Sequence, residues 1–391
     1  MIVSIDPEIN NYVFQQEGKL FQCWYTESSS KFLGQQNMMN HQGISHKYFR
    51  NLTLNLASPE KLKENMLHIT DKATQDGLRS WALLPSVDLK QATADMIFEY
   101  VAKEIMGYDG SLTSNKLRDC YGDFMRGFVS FPLNIPGTAF HACLEGRKYA
   151  IKVIKDIFNV RKLSKPQHHD FVDFLLEEVG KGDSLLNEDM AVDLVFLLLL
   201  ASHETVSSAI TMAINFLTDN PSALEELTKE NEAIARNRGS ECSGITWNEY
   251  KSMTFTHMTI NETVRLANIA PVLFRKVIKD VEIKGYTFPA GWQVMVCPAA
   301  IHLDPLRYPD PLSFNPWRWE GKELHVGSKN FMAFGGGARL CAGADFAKLQ
   351  MATFLHHLVT KYRWKKIGGD FSRLPGLIFP NGLHIQLMEK Q

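Results

Sequence analysis

The run Phe334-Gly335-Gly336-Gly337-Ala338-Arg339-Leu340-Cys341-Ala342-Gly343 places one cysteine after a glycine-rich loop, just before a segment with helical periodicity. A thiolate needs positive potential, and a helix N-terminus supplies unpaired N–H groups and the positive end of the dipole. Gly335, Gly336 and Gly337 let the backbone turn tightly and approach a flat, bulky partner. Arg339, two residues before the cysteine, brings a cation for an acidic group on that partner. Thiolate, close-approach loop and cation together describe a site for haem iron with an axial cysteine. A phosphate loop would want a Lys-Ser or Lys-Thr pair after its glycines, which is missing. A cysteine nucleophile would want a histidine and an orienting acid nearby, which the local sequence does not offer. A lone buried thiol is the ordinary fate of cysteine, but it leaves Phe334, Gly337, Arg339 and Gly343 unexplained.

Beyond the loop, Ala347, Met351, Phe354, Leu358 and Tyr362 recur at spacings of three and four, the stripe of a core-facing helix. The loop resembles the F-x-x-G-x-R-x-C-x-G signature of the cytochrome P-450 haem-thiolate monooxygenases, with every fixed position present. Glu262-Thr263-Val264-Arg265 resembles that family's E-x-x-R helix, and Phe314 to Trp319 the segment carrying the second arginine of its Glu-Arg-Arg cluster, here Arg318. Ala201-Ser202-His203-Glu204-Thr205 resembles the oxygen-activation motif, with serine where glycine is usual. The resemblance to the plant steroid- and triterpenoid-oxidising branch runs over nearly the whole chain, most clearly at Phe331 to Phe334 and Asn315 to Trp319.

The resemblance implies a cofactor, haem b (iron protoporphyrin IX), with Cys341 as its metal ligand. It implies that Arg339, Arg275 and Arg50 meet the haem propionates. His46, standing where the family has tryptophan, would be the last member of that set. Phe334, Gly343 and Ala201 would lie against the cofactor. Thr205 and Glu204 would form a proton-delivery pair, since an acid and a hydroxyl inside an apolar helix cost free energy unless they have a task or a partner. His203 is expected to face the structure, because no second histidine follows one turn later. Glu262 and Arg265 share a helix face and, with Arg318, would form a buried structural cluster clamping the cysteine loop.

The implied activity is hydroxylation of a lipophilic substrate, a sterol or triterpenoid, with O2 and electrons from NADPH-cytochrome P-450 reductase. Two alternatives stay open: a haem-thiolate isomerase or dehydratase that needs no reductase, and a truncated chain that is non-catalytic or poorly loaded with haem. Apolar candidates for the substrate cavity are Phe196, Leu200, Val272, Leu273, Ile378 and Phe379, with Phe131 to Thr138 bordering its access channel. Lys47 and Lys348 are candidates for meeting an acidic reductase surface.

Bulk properties agree. At 391 residues, 45% hydrophobic and 22% charged, the chain can bury a core and a cofactor cavity, and no linker divides it, so one domain over 1–391 is expected. A net charge of −1 argues against nucleic acid as a partner. Six scattered cysteines (23, 120, 143, 242, 297, 341) lack zinc or redox spacing. Membrane-bound relatives begin with an anchor, a hinge and the first strands of a small sheet, and this chain is expected to start beyond them. The expected location is the cytosolic face of the endoplasmic reticulum membrane, by resemblance. The longest apolar run, Leu194 to Ala201, is too short to cross a bilayer.

The expected fold is mainly α with a small β region, the cytochrome P-450 architecture. Residues 187–218 read as one long helix. Ser58 before Pro59 marks a helix start, and Ser222 with Glu225 and Thr246 with Glu249 read as capping boxes. Residues 272–298 read as two strands, and Asn381-Gly382 as the turn of a final hairpin.

Overall fold

The computed structural model describes residues 1–34, 36–110, 116–128, 130–163, 170–238, 244–322, 327–373 and 376–390. It is mainly helical, 59% helix and 12% strand, as expected. The strands are β1 (Ile2–Ser4), β2 (Phe21–Cys23), β3 (Val87–Asp88), β4 (Leu273–Val277), β5 (Val281–Ile283), β6 (Tyr286–Phe288), β7 (Gln293–Val296), β8 (Tyr362–Gly369), β9 (Ser372–Arg373), β10 (Leu377–Ile378) and β11 (Leu383–Glu389). They form sheets ordered β1-β7-β4-β2, β3-β11-β8, β5-β6 and β9-β10.

Several expectations change at this level. The first residues join the small sheet: β1 runs parallel to β7, with Ile2 opposite Val294, and β2 forms the opposite edge. Three-residue strands carry too little alternation to show as a pattern. The 272–298 region holds four strands, not two. Lys284 and Gly285 both have positive φ (52° and 80°), the two-residue turn that closes β5 onto β6. Asn381-Gly382 makes a turn, yet β11 beyond it pairs with β8 and β3, while β10 pairs with β9. Ser58 and the Thr246/Glu249 box cap their helices as read. Ser222 does not, because helix Pro221–Asn237 begins two residues earlier than that reading requires, with Asn220 at the cap position and proline at the first helical position.

The chain divides into two compact units. The first comprises Met1–Gln22, Leu54–Met96 and Thr205–Gln391, and the second Cys23–Thr53 and Ile97–Glu204. In the first, helix Pro7–Gln15 opens on Asp6, whose carboxylate accepts from the amides of Glu8 and Ile9. The helix turns Ile9, Val13 and Phe14 onto Val277, Phe288, Val294 and Val296 of the strands, forming one core with Phe21, Ile301 and Met332. The second unit centres on aromatic rings: Phe32 on Phe124 at 5.1 Å, and Tyr121 stacked on Phe196 at 5.2 Å. Two half-buried ion pairs tie its helices together, Arg147 to Asp193 at 2.6 Å and Arg161 to Asp170 at 2.7 Å.

Helix Glu188–Asp219 is longer than the apolar run that marks its middle. By length and composition it could cross a membrane, but 67% of its most apolar window is buried within the protein, as in a core helix.

Candidate functional site

The cysteine loop is held by its own backbone. Gly335 N–H donates to Met332 O at 2.9 Å, Leu340 N–H to Gly337 O at 3.1 Å, and Cys341 N–H to Phe334 O at 2.9 Å. Residues Gly337–Arg339 make one 3-10 turn, and helix Ala344–Lys361 starts with Gly343 as its cap residue. Two of the three glycines have a use the sequence did not disclose. A Cβ on Gly337 (φ +63°) would fall 2.3 Å from Phe14 O, and one on Gly336 would fall 2.7 Å from the Phe14 ring. Helix Pro7–Gln15 therefore packs directly on the loop, and that contact demands the glycines. Five free cysteines lie among the described residues, Cys242 falling outside them. Cys341 is the exposed one, while Cys23 and Cys143 are buried.

Arg339 and Arg275 come together on one residue that no sequence motif marks. Glu17, in the turn after helix Pro7–Gln15, accepts from Arg339 Nε at 2.7 Å on Oε1. Its Oε2 lies 2.6 Å from Arg275 Nε, an ion pair without the alignment of a hydrogen bond. All three side chains are at most 10% exposed. Two buried guanidiniums against one carboxylate leave a local excess of positive charge, suited to anionic groups.

The structural cluster is observed in full. Glu262 and Arg265 are 0% exposed and paired in bidentate fashion, at 2.9 Å and 2.8 Å. Glu262 also accepts from Arg318 Nε at 2.9 Å, the Asn315 amide at 3.0 Å and Trp319 Nε1 at 3.0 Å. Arg265 Nη1 donates to the carbonyls of His302 and Pro311, each at 2.7 Å. His302 carries the clamp onward. Its Nδ1 faces Asn268 Oδ1 at 2.8 Å, and its Nε2 accepts from the Met332 amide at 3.1 Å. Met332 in turn accepts from Gly335, so the cluster reaches the cysteine loop through one histidine. Burial, with Arg265 beside it, lowers the His302 pKa to about 3 and keeps the ring neutral, able to accept. No local pattern marks His302; only the fold brings it there.

Along helix Glu188–Asp219, every residue from Ala191 to Leu217 is buried or half-buried except Ala201 and Thr205. Those two sit one turn apart on one stripe, and Glu204 beside them is half-buried. His203 faces inward as expected, its Nδ1 2.6 Å from Leu199 O and its ring 5.3 Å from Phe98. Arg50 and His46 lie on helix Gly43–Ala57, His46 buried and Arg50 half-buried. They belong to the second unit with Ala201 and Glu204, whereas Thr205, Cys341, Arg339, Arg275, Phe334 and Gly343 belong to the first.

Some secondary candidates change character. Phe196 is 1% exposed and packs within the aromatic core, with Arg147 4.8 Å above its ring. Lys348 is half-buried with its ammonium 5.8 Å from the Phe334 ring, folded onto the cysteine loop and not a free surface cation. Lys47 is exposed.

The fold and this loop are those expected of a haem-thiolate protein: in the first unit an exposed cysteine follows a glycine-rich loop, beside two buried arginines that share one carboxylate. The residues fit haem b. A sequence profile of the Cytochrome P450 family matches residues 1–374, and the chain belongs to that family. It is 52% identical to "Cytochrome P450 87A3" of Oryza sativa subsp. japonica, over 100% of this chain and 77% of that one. It is 39% identical to "Cucurbitadienol 11-hydroxylase" of Siraitia grosvenorii, over 100% of this chain and 83% of that one. Its fold superposes on the solved "Retinoic acid bound cyanobacterial CYP120A1" with a TM-score of 0.88 at 25% identity, covering 99% of this chain and 89% of the other. The protein is a cytochrome P450 monooxygenase, and steroid and triterpenoid hydroxylases of plants are among its relatives.

Proposed function

We propose that this monooxygenase hydroxylates a sterol or triterpenoid, drawing electrons from NADPH-cytochrome P-450 reductase at the cytosolic face of the endoplasmic reticulum membrane. The observation that carries the reading is the exposed Cys341 sulfur on a loop whose neighbouring cations, Arg339 and Arg275, share one carboxylate. Bound through a cysteine, haem supplies dioxygen activation and oxygen insertion into a C–H bond.

The remaining roles belong to the chain. Cys341 Sγ would hold the iron, Arg339 and Arg275 would receive the propionates, and Phe334 and Gly343 would lie against the cofactor. The family resemblance would add Arg50, then His46, to the propionate partners and Ala201 to the residues near the cofactor. Thr205 Oγ1 holds a proton at the exposed strip, and the Glu204 carboxylate resupplies it from solvent. Glu262, Arg265 and Arg318 hold the loop and take no part in proton transfer. The sterol or triterpenoid class is supported by the names of the plant relatives and by the apolar side chains, such as Leu273, beside Gly335 of the loop. An apolar pocket selects such a ligand by burial. Of the two lysines considered for reductase contact, exposed Lys47 is the one the structure favours.

The test is direct. The haem-loaded chain should show the thiolate-type Soret band in its reduced carbon monoxide difference spectrum. With reductase and NADPH it should convert a member of a sterol and triterpenoid panel to a product one oxygen heavier. Conversion without reductase would point to isomerisation or dehydration instead, and turnover of none of the panel would defeat the substrate class.

A further inference from the structure

Glu17 belongs to no motif, yet it is the residue on which two of the expected cofactor cations converge. Its side chain is 6% exposed. Its oxygens are divided, Oε1 to Arg339 Nε at 2.7 Å and Oε2 to Arg275 Nε at 2.6 Å. Arg275 is fixed further by its own Nη1 donating to the Phe274 carbonyl at 2.8 Å, and by the Phe14 ring 5.2 Å from its guanidinium. Two buried guanidiniums repel one another and are poorly solvated. One shared carboxylate draws them together without cancelling both charges. Glu17 sets the rotation of the Arg339 guanidinium through the aligned hydrogen bond at Nε, and by charge it draws Arg275 to the same point, where the bond from Nη1 to the Phe274 carbonyl fixes the rotation of that second plane.

We propose that Glu17 is a positioning residue for the carboxylate end of haem: it holds Arg275 and Arg339 in the orientation that receives the two propionates. The inference rests on reading those arginines as the propionate partners. Removing a second-layer partner of this kind commonly weakens binding tenfold or more, as it does around metal ligands.

The experiment follows haem transfer from the loaded full chain to excess apomyoglobin, by the Soret change, for haem and for its dimethyl ester, which lacks both free carboxylates. Glu17→Gln should release haem about tenfold faster and leave release of the ester unchanged, with Glu17→Asp restoring most of the difference. Equal acceleration for both cofactors would make Glu17 a packing residue only and overturn the proposal. Unchanged or slower haem release in Glu17→Gln would overturn it as well. Should Glu17→Gln fail to load, Glu17→Asp carries the comparison: a few-fold faster release of haem alone supports the proposal, and an equal effect on the ester sinks it. Arg275→Gln and Arg339→Gln belong in the same assay. If neither speeds haem loss, the arginine reading itself fails, whatever Glu17 does.

Discussion

Glu262 accepts five hydrogen bonds from four residues while wholly buried, so the carboxylate has no cheap neutral replacement. Glutamine is the same size but carries one acceptor oxygen, and in either orientation its amide nitrogen would aim donors at groups that themselves donate, Arg265 among them. Glu262→Gln should therefore cost on the order of 3–5 kcal/mol, seen as a lower urea midpoint, and should empty the chain of haem through the loosened loop. An unchanged midpoint would show the cluster to be dispensable. The glycines give a graded comparison. Gly335 and Gly337 both have positive φ, but only Gly337 lacks room, its Cβ falling 2.3 Å from Phe14 O. Strain alone is worth about 1–3 kcal/mol, so Gly335→Ala should stay within that range and Gly337→Ala should exceed it. Equal losses from the two substitutions would mean that the contact with helix Pro7–Gln15 yields easily.

Elements were legible where periodicity ran long. Helix Glu188–Asp219 and the helix after Cys341 show in the sequence because apolar positions repeat over many turns, and Thr246 with Glu249 shows because a capping box is a local device. What escaped was short or distant. β1 has three residues, and its evidence is a partner nearly three hundred positions away, so no window of sequence contains it. Glu17 and His302 escaped for the same reason: nothing beside either predicts an arginine pair or an amide arriving from elsewhere in the chain. The Cys341 loop was readable because its pattern is written into ten contiguous residues, Phe334 to Gly343, with no distant partner in the chain needed to recognise it. On the long helix, the exposed strip of Ala201 and Thr205 isolates a testable role. Thr205→Val keeps the shape and deletes the hydroxyl. If Thr205 passes protons, product formation should fall by about a hundredfold while NADPH consumption continues and peroxide accumulates. The thermal midpoint should hardly move, since the side chain is exposed. Tight coupling of NADPH to product in this variant would remove Thr205 from the proton path.

At the scale of the molecule, acid is the condition to which this fold is most exposed. The formal charge is −1 at pH 7, so general charge repulsion is weak near neutrality and specific buried groups dominate the response. Two are histidines of the first unit. His302 accepts the Met332 amide, and His356 packs among His357, Asn231 and Arg238, with Arg238 Nη2 3.3 Å from its Nε2. Burial holds each at a pKa of about 3, against 6.5 for a free histidine, helped by Arg265 at His302 and by His357 and then Arg238 at His356. The folded chain therefore binds fewer protons than the unfolded one between those two values. Their contribution is complete above about pH 6.5 and is lost progressively as pH falls toward 3. One such group tilts stability by about 1.4 kcal/mol per pH unit, and two by about twice that. Lowering pH from 6 to 5 should thus pull the urea midpoint down steeply. His356→Gln, which keeps a polar group facing Asn231 but cannot titrate, should remove about half of that tilt. If the slope is the same in the variant and the parent chain, the acid sensitivity arises elsewhere, and the buried rings are charged in the folded protein after all.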